Sequence, residues 1–272
     1  MTTVTGENVL GSKTGSKTRR RQELFGVPLD ALTLSETVQL CMTAVEAGDL
    51  LEVGVVNAAK IVKMGRDPDL HDAVLGCGVI VADGQSVVWA SRVLRRPLPE
   101  RVAGIDLFQR LLYMAELRGR SVYFLGARPE VLERMVERVR AQHPALRIAG
   151  SQHGYYGGDE AAAVADAVQG SGADLLFLGM TSPKKEVFVA TYGARTGAKV
   201  VHGVGGSFDV LAGAVKRAPR IWQQLGCEWL YRVLQEPRRL GPRYLTTNFA
   251  FLGLVAREWV RSVRFAPAGK SN

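Results

Sequence analysis

Residues 174–206 read DLLFLGMTSPKKEVFVATYGARTGAKVVHGVGG, and this stretch decides the fold. Residues 174–178 and 199–203 are short apolar runs, each followed by a glycine turn, Gly179 and then Val204-Gly205-Gly206. Between them Ser182-Pro183 opens a helix, since serine caps orphan amides and proline suits the first helical turn. Strand, helix and strand in that order form a crossover unit, which joins parallel strands and covers one sheet face. Outward from it, similar runs rich in Val, Ile, Leu and Phe recur at 53–56, 79–82, 121–125 and 146–149. Helical patterns separate most of them. Asp67-Pro68 begins one that Gly76 ends, residues 105–117 carry another, and Pro129 and Pro144 bound a third. The expected fold is therefore α/β, a mostly parallel Rossmann-like sheet with helices on both faces. Ligands then belong at the carboxyl ends of the strands.

Charge divides the chain differently. Net charge is +9; residues 1–22 carry +4 and residues 216–272 carry +8, leaving −3 for the body between them. Basic ends on an acidic body point to an anionic surface or ligand, not to a uniformly basic nucleic-acid binder. Residues 1–22, with Arg19-Arg20-Arg21, read as a disordered basic tail, residues 23–214 as the α/β body, and residues 215–272 as a basic helical appendage. In the appendage Leu245, Phe249, Leu252, Ala256, Trp259 and Val263 recur at steps of three and four, with Arg257, Arg261 and Arg264 between them. Such an amphipathic basic helix suits a membrane surface or packing on the body. Residues 1–22 contain no apolar signal core, and the late apolar run 249–256 is far short of the ~20 residues that cross a bilayer. The scattered Cys41, Cys77 and Cys227 suit a reducing compartment. The expected location is the cytoplasmic side.

Three strand-to-helix junctions bear glycine, at Gly126, Gly179 and Gly205-Gly206, and each offers backbone amides to an anion. Gly203-Val204-Gly205-Gly206-Ser207-Phe208 lacks the third glycine of a dinucleotide fingerprint, which argues against a nicotinamide oxidoreductase. Asp83 follows the run 79–82 and precedes Gly84, a position suited to a general base and equally to an ordinary Asp-Gly turn. Asp67 and Asp69 flank Pro68 as helix-opening residues, and His71, His143, His153 and His202 show no ligand spacing, so no metal and no cofactor is expected.

Residues 203–244 place a glycine turn, the arginines Arg217, Arg220, Arg232, Arg238, Arg239 and Arg243, and the segment Glu228-Trp229-Leu230-Tyr231-Arg232 in one order. Upstream stand Val56-Asn57-Ala58, Asp83-Gly84, Arg101-Val102-Ala103-Gly104-Ile105-Asp106, His153-Gly154-Tyr155-Tyr156 and Ser182-Pro183-Lys184-Lys185-Glu186. In this succession, over roughly residues 24–255, the chain resembles the WecG/TagA/CpsF family of bacterial glycosyltransferases. The resemblance implies an inverting, metal-independent transfer from a UDP-sugar, N-acetylmannosamine among the donors. The implied acceptor is a polyprenyl-diphosphate-linked saccharide at the inner face of the plasma membrane, in cell-surface polysaccharide or teichoic-acid-type synthesis. It implies Asp83 as catalytic base, Asn57 and Arg101 as substrate-binding, and Arg217, Arg220 and Arg232 for the acceptor diphosphate. A second copy of the chain is an open partner. Against the family pattern, Val55 replaces a threonine, Ser86 a glycine, and Lys185 a glutamine. One turn into its helix near the cleft, Lys185 would favour an anionic partner, either an acidic donor sugar or the UDP diphosphate. These departures leave one other reading, a non-catalytic protein that binds a nucleotide or lipid diphosphate.

Overall fold

The computed structural model describes residues 19–264, apart from 225 and 236. Two short strands, β1 (Arg21–Leu24) and β2 (Val27–Asp30), form an antiparallel hairpin ahead of the main sheet. The expected tail of residues 1–22 is thus too long: residues 1–18 lie outside the described residues, but 19–22 belong to the body. The reason is Asp30, a buried carboxylate that accepts from Arg21 Nε at 3.1 Å and from the Ile80 amide at 2.9 Å. Arg19 also donates to the Gly78 carbonyl at 2.9 Å. These bonds fasten the hairpin beside the edge of the sheet, where unpaired amides would otherwise be exposed.

Next come α1 (Leu34–Ala47), β3 (Leu51–Val56), α2 (Ala58–Met64), α3 (Pro68–Leu75) and β4 (Val79–Ala82). A capping box between Thr33 and Glu36 starts α1, and Asp67 caps α3 with Pro68 at its first turn. Then follow α4 (Gln85–Val93), α5 (Gly104–Leu117), β5 (Ser121–Gly126), α6 (Pro129–Gln142) and β6 (Arg147–Gln152). The body ends with α7 (Ala161–Ser171), β7 (Leu175–Gly179), α8 (Lys184–Tyr192), β8 (Val200–Gly203) and α9 (Ser207–Leu211). The helices α10 (Arg220–Gln224), α11 (Glu228–Gln235) and α12 (Pro237–Arg264) come last, with no strand after β8 among the described residues.

The main sheet is six-stranded, ordered β4-β3-β8-β7-β5-β6, and every pairing is parallel. All six carboxyl ends therefore share one edge. Helices cover both faces, as expected. On one side Phe108 of α5 meets Phe124, Phe177 and Phe208 with ring centroids 4.6–6.2 Å apart. On the other, α2, α3 and α4 pack Ile61, Leu70, Val74 and Val88 over Ile80 and Ala82. The direction of crossover reverses between β5 and β7, and there the backbones touch. A Cβ on Gly126, whose φ is +137°, would lie 2.5 Å from Gly179. Only glycine fits such a contact.

Within α12 the described side chains of the expected apolar stripe do not pack on the body, and the side chains of Val263 and Arg264 lie outside the described residues. Leu245, Phe249, Leu252 and Trp259 are exposed, whereas Phe251 is buried with its ring 5.2 Å from Phe25. Glu258 accepts from the Phe25 amide at 3.0 Å and pairs with Arg96 at 2.9 Å. No helix among the described residues is long and apolar enough to cross a membrane.

Candidate active site

Because the sheet is parallel, residues far apart in sequence meet at one edge. Asn57 follows β3 and caps α2, its Oδ1 accepting from the Lys60 amide at 3.0 Å. Asp83 follows β4; its amide donates to the Val56 carbonyl at 2.8 Å, which ties it to β3. A Cβ on Gly84 would stand 3.1 Å from Asn57 Cβ, so the Asp-Gly pair lies against Asn57. Asp83 is half-buried, and its Oδ1 accepts from the Gly104 amide, the first of α5, at 2.9 Å. A carboxylate there faces the positive end of a 14-residue helix.

Two cations lie nearby in a low-dielectric pocket. Lys60 of α2 and Lys185 of α8 both pair with Glu186 Oε1, at 2.8 and 3.1 Å, and all three side chains are nearly buried. Burial pushes the Lys185 ammonium below the usual lysine range, and Lys60 adds to this against the opposing charges of Glu186 and Asp83. Burial alone would raise the Glu186 carboxyl; Lys60 and Lys185 together hold it below the usual range. One carboxylate shared by two ammonium groups leaves excess positive charge beside Asp83. The Lys185 stem lies across β8, 3.0 Å from where a Gly203 Cβ would be, and its Nζ is 3.8 Å from the same position on Gly205. Lys185 is therefore not a solvated surface residue.

A second pair of cations comes from the other side. Arg101 precedes Val102, whose amide donates to the Ala82 carbonyl at 2.9 Å, so Arg101 stands next to the end of β4. Its Nη1 pairs with Glu228 of α11 at 2.5 Å. Arg217 reaches the same Glu228 at 3.4 Å and Asp106 of α5 at 2.6 Å. Burial works against the Arg217 charge, but Asp106 and Glu228 outweigh it and raise its pKa. Its Nη2 is buried with no hydrogen-bond partner among the described residues.

The other expected residues fall less simply. Gly205 adopts φ +53° and spends its amide on the Leu178 carbonyl at 3.1 Å, so of the expected Gly205-Gly206 cradle only Gly206 stays a candidate. A tight turn has used the donor that an anion would need. Arg220 is exposed at the start of α10, and the side chain of Arg232, on α11, lies outside the described residues. Among the described residues no three His, Cys, Asp or Glu groups converge as metal ligands.

Sequence reasoning missed Lys60, Glu228 and Lys184. Lys60 lies one turn beyond Asn57, facing the same strand end, a spacing that could have flagged it. Glu228 belongs to the late aromatic segment but draws attention only once Arg101 is seen beside it. Lys184 donates to the Gly154 and Tyr156 carbonyls at 2.9 and 3.3 Å and stands 4.0 Å over the Tyr156 ring, fixing the 153–156 loop to α8.

Fold and site together define an open parallel α/β protein with a carboxylate and paired cations at its strand ends. The model of the Glycosyl transferase WecG/TagA/CpsF family matches residues 22–264, and the chain belongs to that family. It is a glycosyltransferase of cell-surface polysaccharide synthesis.

Proposed function

We propose that the protein is an inverting, metal-independent hexosyltransferase that uses a UDP-sugar and a polyprenyl-diphosphate-linked saccharide. The observation that carries this reading is Asp83, held at a strand end with excess cationic charge close by. In the proposed step the acceptor hydroxyl oxygen attacks the anomeric carbon while Asp83 takes its proton. The bond from that carbon to the UDP oxygen breaks with inversion. UDP leaves with added negative charge, which Lys185 and Arg101 would stabilise in place of a metal ion. Asn57 and Gly206 would contact the donor. Arg217, with its unpartnered Nη2, and Arg220 and Arg232 would meet the acceptor diphosphate, for which guanidinium forks are suited. The exposed stripe of α12, flanked by the exposed Arg257 and Arg261, supports docking on an anionic membrane at its inner face.

Release of UDP from a panel of radiolabelled UDP-sugars, with a short-chain lipid diphosphate saccharide as acceptor, tests the reading. Acceptor-dependent UDP release with one donor is expected. Tight nucleotide binding without release under any donor would overturn catalysis and favour a binding protein.

A further inference from the structure

His202 lies on β8 near the centre of the sheet, fully buried, where a parallel strand ordinarily carries an aliphatic side chain. Its ring meets Phe177 edge-on at 6.4 Å, and its Nε2 is 3.2 Å from the Gly104 carbonyl oxygen. A carbonyl can only accept, so Nε2 carries a proton. Nδ1 is buried with no hydrogen-bond partner among the described residues. Leaving a polar atom in that state costs stability that an aliphatic residue would not lose, so the other nitrogen needs a purpose. Burial pushes the ring's pKa down to about 4, against smaller opposing effects of the Gly104 and Val53 backbones and the Asp83 charge, so the ring is neutral near pH 7.

The purpose lies one residue away. Gly104 opens α5; its carbonyl receives the His202 bond and its amide donates to Asp83 Oδ1 at 2.9 Å. Two residues before it, Val102 is fixed to the end of β4 through Ala82. A Cβ on Gly104 would sit 3.7 Å from Val55 and 3.9 Å from His202 Cε1, so the residue rests directly on β3 and β8.

We propose that His202 is a positioning residue for Asp83: its Nε2–H clamps the Gly104 carbonyl and thereby aims the Gly104 amide at the carboxylate. The proposal rests on the reading of Asp83 as the base. His202 touches no reacting atom. Its effect belongs in turnover and not in donor binding.

Two variants separate the clamp from packing. His202→Leu keeps bulk and loses the donor, whereas His202→Gln retains an N–H at similar depth. His202→Leu should lower kcat about tenfold, the effect of one ordinary hydrogen bond lost from the transition state, with KM for the donor unchanged. His202→Gln should recover most of that loss. Unchanged kcat in His202→Leu, or an equal fall in both variants, overturns the clamp. A second measurement needs no activity. Imidazole ¹⁵N shifts of the full chain should report the Nε2–H tautomer, and the Gly104 amide resonance should move in His202→Leu as it does in Asp83→Asn. A Gly104 resonance indifferent to His202, or the opposite tautomer, overturns the proposal. A wild-type chain that releases no UDP would instead defeat the functional reading, and the resonances would still decide the clamp.

Discussion

In the body, β4 and β5 are buried along their whole length and β3, β7 and β8 along most of theirs. In α12, by contrast, Leu245, Phe249, Leu252 and Trp259 face outward and Phe251 faces in. The cations divide the same way. Lys60 and Lys185 share Glu186, and Arg101 and Arg217 share Glu228, while Arg257 and Arg261 stand exposed on α12. Folding consumes the body's apolar pattern and pairs its charges at the sheet's carboxyl edge. The late helix keeps much of its apolar and basic surface unspent, which is what association with another phase requires.

The sharpest way to break the comparison is at the body's carboxylate. Asp83→Asn keeps size and can still accept from the Gly104 amide, but it no longer takes up a proton. Loss of a general base typically costs ~10²–10⁴-fold in rate. Turnover should fall by that much in a UDP-release assay, with nucleotide affinity little changed. Wild-type rates in Asp83→Asn would remove it from the mechanism.

Next in size is a contrast between two neighbours on α12. Phe251→Ala empties a buried site against Phe25 and should cost about 3–5 kcal/mol in urea unfolding. Phe249→Ala, two residues earlier and exposed, should stay within about 0.5 kcal/mol. Binding to vesicles containing anionic lipid should respond in the opposite order, weakening with Phe249→Ala. Equal stability losses, or vesicle binding that ignores Phe249, would mean that the outward stripe is not a docking surface.

A pH experiment follows. An unfolded chain binds a proton at His202 as pH falls through about 6.5, but the native ring resists until about 4. The unfolded state thus gains protons first, and stability drops as pH falls through this window. Between pH 6.5 and 5 the loss should be about 1.5 kcal/mol, since the slope rises from half its full value of about 1.36 kcal/mol per pH unit at pH 6.5. Glu186, held below the usual carboxyl range, contributes stability above about pH 4.5 that is lost below it, outside the chosen interval. Urea unfolding of wild type and His202→Gln at both pH values should show this part of the slope disappearing in the variant.

The parallel sheet was legible because each buried run ends at a glycine or cap and is followed by a helical pattern. Asp83 stood out for the same reason, as a carboxylate where a buried run stops, whereas Asn57 was singled out only through the family resemblance of Val56-Asn57-Ala58. The β1–β2 hairpin was not legible. Its strands are four residues each, one carries Pro28, and it is held to the body by tertiary bonds, from the Ile80 amide to Asp30 and from Arg19 to the Gly78 carbonyl. Nor was the sharing of Glu186 by Lys60 and Lys185, since it needs the Lys60 side chain of α2 to reach the first turn of α8, more than a hundred residues later in sequence. Periodicity revealed that α12 is amphipathic but could not say which stripe packs. That choice is set by Phe25 and Arg96, which lie far away in sequence.

The smallest effect, and the finest test of the body's paired charges, concerns Lys185. It shares Glu186 with Lys60, so removing its charge leaves the Lys60–Glu186 pair intact and takes away the surplus cation beside Asp83. Lys185→Gln should therefore fold, and its effect should depend on what the donor carries. A donor with a carboxylate loses a charge-assisted contact worth ~1.5–3 kcal/mol, and a neutral donor does not. The ratio of kcat/KM for a uronic-acid donor to that for a neutral one should fall more than about tenfold, since 1.4 kcal/mol is a factor of ten. Equal losses for both donors would assign Lys185 to the UDP diphosphate, which all donors share. Unchanged values for both would leave it as the structural partner of Glu186. The body's surplus charge would then have to be sought in Lys60.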